Sequence, residues 1–156
     1  MDPVDIPEPT FDPAEEKLLL GQLDAENETI SFLLKTHLFS EYHMDQLLAD
    51  YLGEKREPLD RIDLRFAQKL SLVDSFALLP EECIRSLHAL NKLRNRCVHT
   101  FNTRPTMEDV RQVASAFNTF RGESIQTVPE FLKAYMAFLF GYFSATRHDL
   151  KHRKEA

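Results

Sequence analysis

The sequence predicts an all-α fold, an up-and-down bundle of about five to six helices. Three observations carry that reading. Apolar residues recur at three- and four-residue spacing along most of the chain, no stretch alternates with a period of two, and Pro, Thr and Asp stand where helices would begin. The 156 residues suffice for one ordinary domain. Hydrophobic residues at 43% and charged residues at 28% are those of a globular chain rather than a disordered one. Only four glycines occur, and neither G-x-G-x-x-G nor G-x-x-x-x-G-K-[ST] is present, which removes the commonest nucleotide-fold signatures.

Residues 1–11 hold Pro3, Pro7 and Pro9 among acids and read as a poorly ordered acidic arm. Asp12 as cap, Pro13 at the first helical position and Glu15 three after the cap start a short helix bearing Leu18, Leu19, Leu20 and Leu23. A long helix from about Asn27 to Leu52 follows, with Ile30, Leu33, Leu34, Leu38, Leu48, Tyr51 and Leu52 inward, and Gly53 ends it. Residues 53–58 read as a loop. A third helix over about Asp60 to Ala77 turns Leu64, Leu70, Val73 and Phe76 inward. Pro80, Glu81 and Glu82 open a fourth helix that runs to about His99. Beyond a break at residues 102–105, Thr106 and Asp109 match a capping box for a helix to about Phe117. After Arg121-Gly122-Glu123-Ser124, residues Thr127, Pro129 and Glu130 start a last helix to about Asp149. Its stretch from Phe131 to Phe143 has Lys133 as its sole charge, so it is either the central core helix or a subunit interface. Residues 12–149 thus form a single helical domain, followed by a basic tail, 150–156.

Charge is unevenly spread. Residues 1–28 carry nine acids against Lys17 alone, so within a total of -6 the remainder of the chain is mildly basic. No apolar run approaches the roughly 20 residues of a membrane span, and the start of the chain lacks the basic and apolar segments of a signal peptide. A cytoplasmic protein with no membrane partner is expected. Cys83 and Cys97 fall on one helix, about 21 Å apart at the helical rise, too far to bridge within it. They read as free, half-buried thiols. No C-x-x-C or H-E-x-x-H pair supports a zinc site, and no metal or other cofactor is expected.

From Cys83 to Met107 there is no acid, while Arg85, Lys92, Arg94, Arg96 and Arg104 occur beside His88 and His99. Uncompensated positive charge beside histidines suits a phosphate ligand, with Arg96, Lys92 and Arg104 as phosphate contacts. On the fourth helix, Cys83, Ile84, Leu87, Leu90, Leu93, Cys97 and Val98 define a broad apolar arc. Arg94 lies near its middle. An inward guanidinium is costly unless a neighbouring carboxylate pairs with it or an anion reaches it through a cleft. His99, five residues on, is about 140° away around an ideal helix. The two address one ligand only if the helix ends or distorts between them, or if two chains share the site. On the long second helix, His37, Glu41 and Asp45 share one face. Glu41 neutralises Arg94, or the face is plain surface. His88 reads as surface.

The run Arg94-Asn95-Arg96-Cys97-Val98-His99 resembles the R-x4-6-H motif of the HEPN superfamily, small all-helical domains of prokaryotic toxins and defence proteins, whose commonest form has Asn directly after Arg. The order of helices over about residues 27–145 agrees with that resemblance. It implies a homodimer whose motifs meet at the subunit interface, and metal-independent cleavage of RNA. Arg94 is then expected to hold the scissile phosphate, His99 to act as general acid or base, and Asn95 to orient the pair. A part for His37 or Glu41 in completing the site is likewise an expectation that only this resemblance implies. Histidine's ordinary pKa near 6.5 suits proton transfer at neutral pH, and arginine offers a fixed fork for phosphate. A toxin branch of the superfamily has Tyr two residues after the His, a target of a nucleotidyltransferase antitoxin. Here Phe101 stands there, so that regulation does not carry over to position 101. The same resemblance also admits a non-catalytic module that binds a protein, a nucleotide or RNA in the same cleft.

Overall fold

In a computed structural model of the chain, two long helices, α1 (Pro13–Leu52) and α6 (Val128–Glu155), lie side by side and carry the rest. The structure describes residues 13–100 and 103–155, and the side chains of 28–100 and 103–154. The expected acidic arm, the Asp12 cap, the inward leucines before residue 27 and Phe101 lie outside what is described. A 3-10 turn (Gly53–Arg56) and the single turn α2 (Glu57–Asp60) follow α1. Then come α3 (Phe66–Ser75), α4 (Glu81–His99) and α5 (Met107–Ala114). All regular structure among the described residues is helical, as the apolar periodicity predicts.

Several bounds differ from the sequence reading. The short and long helices expected before Leu52 are one 40-residue helix. Neither Gly21 nor the Asp24–Asn27 stretch breaks it, because isolated poor helix formers cost only about 1 kcal/mol each. Gly53 ends it as expected, at φ +55°, a conformation that favours glycine. The loop expected at 53–58 is helical turn instead, and α3 begins at Phe66 rather than near Asp60. There Gln68 Oε1 accepts from the Arg65 N–H at 2.8 Å. The capping box of α5 forms as read: the Asp109 N–H donates to Thr106 Oγ1, and the Thr106 N–H to Asp109 Oδ2 at 2.8 Å. The basic tail continues α6 to Glu155, and Leu150 is buried.

Contacts across α1 and α6 rise together in number. Phe39 meets Phe140 and Phe143, Asp50 pairs with Arg147 at 2.6 Å, and Gly53 lies beside Lys154. The two helices therefore run in the same direction. So do α1 and α3, where His37 stacks on Phe66 and Tyr51 meets Phe76. Strict up-and-down alternation is not followed by these pairs, because the connections 53–65 and 115–127 are long enough to carry the chain back. By contrast α4 and α5 are antiparallel, joined by Ser86–Val113 and Arg96–Asp109 contacts.

The core fills with Leu33, Met44, Leu47, Leu70, Leu87, Leu90, Tyr135 and Leu139 among others. The aromatic run of α6 is core: Phe131, Tyr135 and Phe143 are buried, and Phe140 alone of the large core-run side chains is half exposed, at 50%. Leu38 and Tyr51, expected inside, are exposed, while Met44 and Leu47 take the inward positions. Both cysteines are free and buried, and burial pushes the Cys83 thiol up to about 12. One deep polar contact ties three helices. Ser86 Oγ donates to the Val113 carbonyl at 2.6 Å and accepts from the Tyr135 hydroxyl at 2.6 Å. Ser86→Ala orphans both partners, whereas Tyr135→Phe leaves the Ser86–Val113 bond intact. Urea unfolding is expected to show Ser86→Ala destabilised by about 1–3 kcal/mol and Tyr135→Phe by less. Equal losses would mean that the serine bridge is not what links the helices.

Candidate functional site

The fourth helix of the sequence reading is α4, and it remains intact through His99. Its inward side is Cys83, Ile84, Leu87, Leu90, Leu93 and Cys97, with Ser86. Val98, placed on that arc by periodicity, is instead 45% exposed. The arc therefore ends near Arg94, which sits at its edge, partly buried. His88 and Lys92 are exposed, as read.

Around Arg94, helices α1, α3 and α4 bring polar groups together. His37 Nε2 donates to Asn91 Oδ1 at 3.0 Å, and its ring stacks on Phe66 at 4.1 Å. Burial holds this imidazole below its ordinary pKa. The Asn91 hydrogen bond opposes that, the Arg94 charge adds to it, and Glu41 pulls the other way. Arg94 Nη1 donates to Asn95 Oδ1 at 3.0 Å, and its Nε is buried with no hydrogen-bond partner. Glu41, the carboxylate suggested as its counter-charge, is taken elsewhere: Lys69 Nζ lies 2.9 Å from Glu41 and 3.0 Å from Asp45. Burial pulls the Lys69 ammonium down, yet these hydrogen bonds outweigh it and hold its pKa above the usual value. Arg94 is thus a partly buried cation that makes no ion pair with a described residue. Asn91 and Lys69 escaped the sequence reading. Asn91 was detectable, standing three residues before Arg94 and so on its side of the helix; Lys69 gave no local signal.

Arg96 and His99 belong to another side of α4. Arg96 pairs with Asp109 of α5, whose other oxygen caps α5. Burial would raise the Asp109 carboxyl, but its Arg96 and Thr106 hydrogen bonds hold it below the usual range. His99 is exposed, the last residue of α4. The unbroken helix keeps it about 140° from Arg94. Asn95 lies between them, adjacent to Arg94 and one turn before His99. Arg104 is exposed in the segment before α5. On its outer side α1 exposes Leu38 (62%) and Tyr42 (58%). Among the described residues no helix is long and apolar enough to cross a membrane. No known protein family, curated protein or solved structure matches the chain.

Two buried imidazoles couple this region to pH. His37 is one. The other is His43, stacked on Phe143 and edged by Phe39, Tyr42 and Phe140, with a buried Nδ1 that lacks a partner. Burial, and then the Arg147 charge, lower its pKa. Because both folded-state values lie below about 6.5, the unfolded chain binds protons first as pH falls. Their stabilisation is complete above about pH 6.5 and is lost as pH drops toward the folded-state values. The urea midpoint is expected to be lower at about pH 5 than at about pH 7.5. His37→Gln and His43→Phe should each shrink that difference; an unchanged difference in both would rule these rings out.

Proposed function

We propose that the chain is a metal-independent endoribonuclease that works as a homodimer, with Arg94, His99 and Asn95 at the reacting phosphate. The observation that carries this reading is the uncompensated Arg94. A partly buried guanidinium without a carboxylate is costly, and a phosphate offers two oxygens to its fork. RNA supplies its own nucleophile. The 2′-oxygen forms a bond to phosphorus, the bond to the 5′-oxygen breaks, and a 2′,3′-cyclic phosphate and a 5′-hydroxyl result. His99 takes the 2′-hydroxyl proton or delivers one to the leaving 5′-oxygen. Arg94 stabilises the charge that gathers on the phosphoryl oxygens. Asn95 holds Arg94. Lys92 and Arg104 attract the flanking backbone, and binding weakens with salt. Glu41 and His37 act behind Arg94, the first by occupying Lys69 and the second through Asn91.

The intact α4 favours sharing between two copies, since one chain turns Arg94 and His99 to different sides. The exposed Val98, one turn after Arg94, offers apolar area for a second copy there, and Leu38 and Tyr42 add exposed apolar area on α1. A toxin or defence role, with an antitoxin as partner, follows from the HEPN resemblance. The same separation of side chains supports a second reading, a non-catalytic module that binds an anionic partner through Arg94 alone.

Mixed RNA in EDTA separates them. The nuclease cuts it, and Arg94→Ala and His99→Ala each reduce cutting by about 10²-fold or more. Binding without cutting leaves the module. Mixing the two inactive variants tests sharing. A dimer of one Arg94→Ala chain and one His99→Ala chain contains one site with both native groups only if each site draws on both copies. Recovery of activity on mixing is expected; none would place both groups in one chain.

A further inference from the structure

We propose that the groove between α4 and α5 holds the nucleotide next to the bond that is cut, with the base on its apolar floor and a phosphate on Lys92. This rests on the nuclease reading and names the part of the substrate that the second side of α4 recognises. The groove has a volume of about 490 Å3, within the range of ligand sites. Its floor is Ala89, Leu93 and Val113, and its rim holds Lys92, Arg96, Asp109 and Gln112.

Each rim group has a use that follows from its surroundings. Arg96 is tied to Asp109, and Asp109 is tied in turn to the first turn of α5. That chain of bonds tethers the guanidinium to the first turn of α5. A guanidinium plane is a stacking face for a base. The pair also cancels its own charge, so the rim keeps one net positive charge, on the exposed Lys92. Lys92 makes no ion pair with a described residue, and it suits a single phosphate. Gln112 is exposed, and its amide both donates and accepts, as the edge of a base requires. Lys92, Arg96 and His99 stand at successive turns on one side of α4, so the groove opens toward the proton-transfer group. A base seated there lies on the side of α4 that carries His99, and under sharing between two copies the second copy supplies the arginine to its phosphate.

The test uses the full chain and RNA with randomised positions around the cut. Gln112→Ala is expected to change base preference at one position beside the cut and to raise KM about tenfold with kcat within about twofold. Ala89→Phe fills the floor and is expected to do the same more strongly; its fold is checked by circular dichroism. Independently, each of the four nucleoside 5′-monophosphates is titrated into the wild type under NMR. Shifts at the amides of Gln112 and Val113, absent in Ala89→Phe, are expected. Cutting with unchanged preference in Gln112→Ala, and no groove shifts with any nucleotide, overturns the groove and leaves the nuclease. Groove shifts without cutting of any RNA overturn the nuclease reading and leave a nucleotide site.

Discussion

Lys69 draws both carboxylates that α1 turns toward α3, and this leaves Arg94 without one among the described residues. Glu41 and Asp45 are one turn apart, and an ammonium between them satisfies both. Had either turned toward α4 instead, the region would be an ordinary structural ion pair. As it stands, the nearby groups are His37, held neutral by burial, and the amides of Asn91 and Asn95. Amides orient a guanidinium but do not neutralise it. Among the described residues this charge has no carboxylate partner, and the proposed chemistry rests on that imbalance.

The two sides of α4 hold their arginines in different ways. On one side, Arg94 is steadied by a single neutral contact and stays electrically uncompensated. On the other, Arg96 is compensated by Asp109 and tethered through it to α5. A cation meant for a developing charge must keep its charge available, whereas one meant for stacking has only to keep its plane. Asn95 lies between the two sides. On the proposed function, the same helix joins the phosphate contact to the α4–α5 groove without any loop between them.

Burial of imidazoles against aromatic rings links the helix pair α1 and α6 to proton concentration. His43 sits where Phe39, Phe140 and Phe143 converge, and Arg147 above it is held by Asp50. A proton on that ring would place two like charges in an apolar surrounding. The same logic acts on His37 beside Arg94. His37 lies between α1, α3 and α4, and His43 between α1 and α6, so the two rings report on different packing contacts of α1.

What was legible in the sequence was local. Helical class, the Gly53 stop, the Thr106–Asp109 cap, the exposed His88 and the odd position of Arg94 all depend on residues within a turn or two of each other. Periodicity misplaced Leu38 and Val98, because two faces of a helix can both be apolar when only one meets a neighbour. The sequence determined that a guanidinium would stand within an apolar arc, near its middle by periodicity, five residues before a histidine. Tertiary structure alone decided that Lys69 would claim Glu41, that Asp109 would claim Arg96, and that α1, α3 and α6 would share a direction. Those outcomes pair residues separated by 13 or more positions, where no local spacing rule reaches and only the packing of whole helices sets which charges meet.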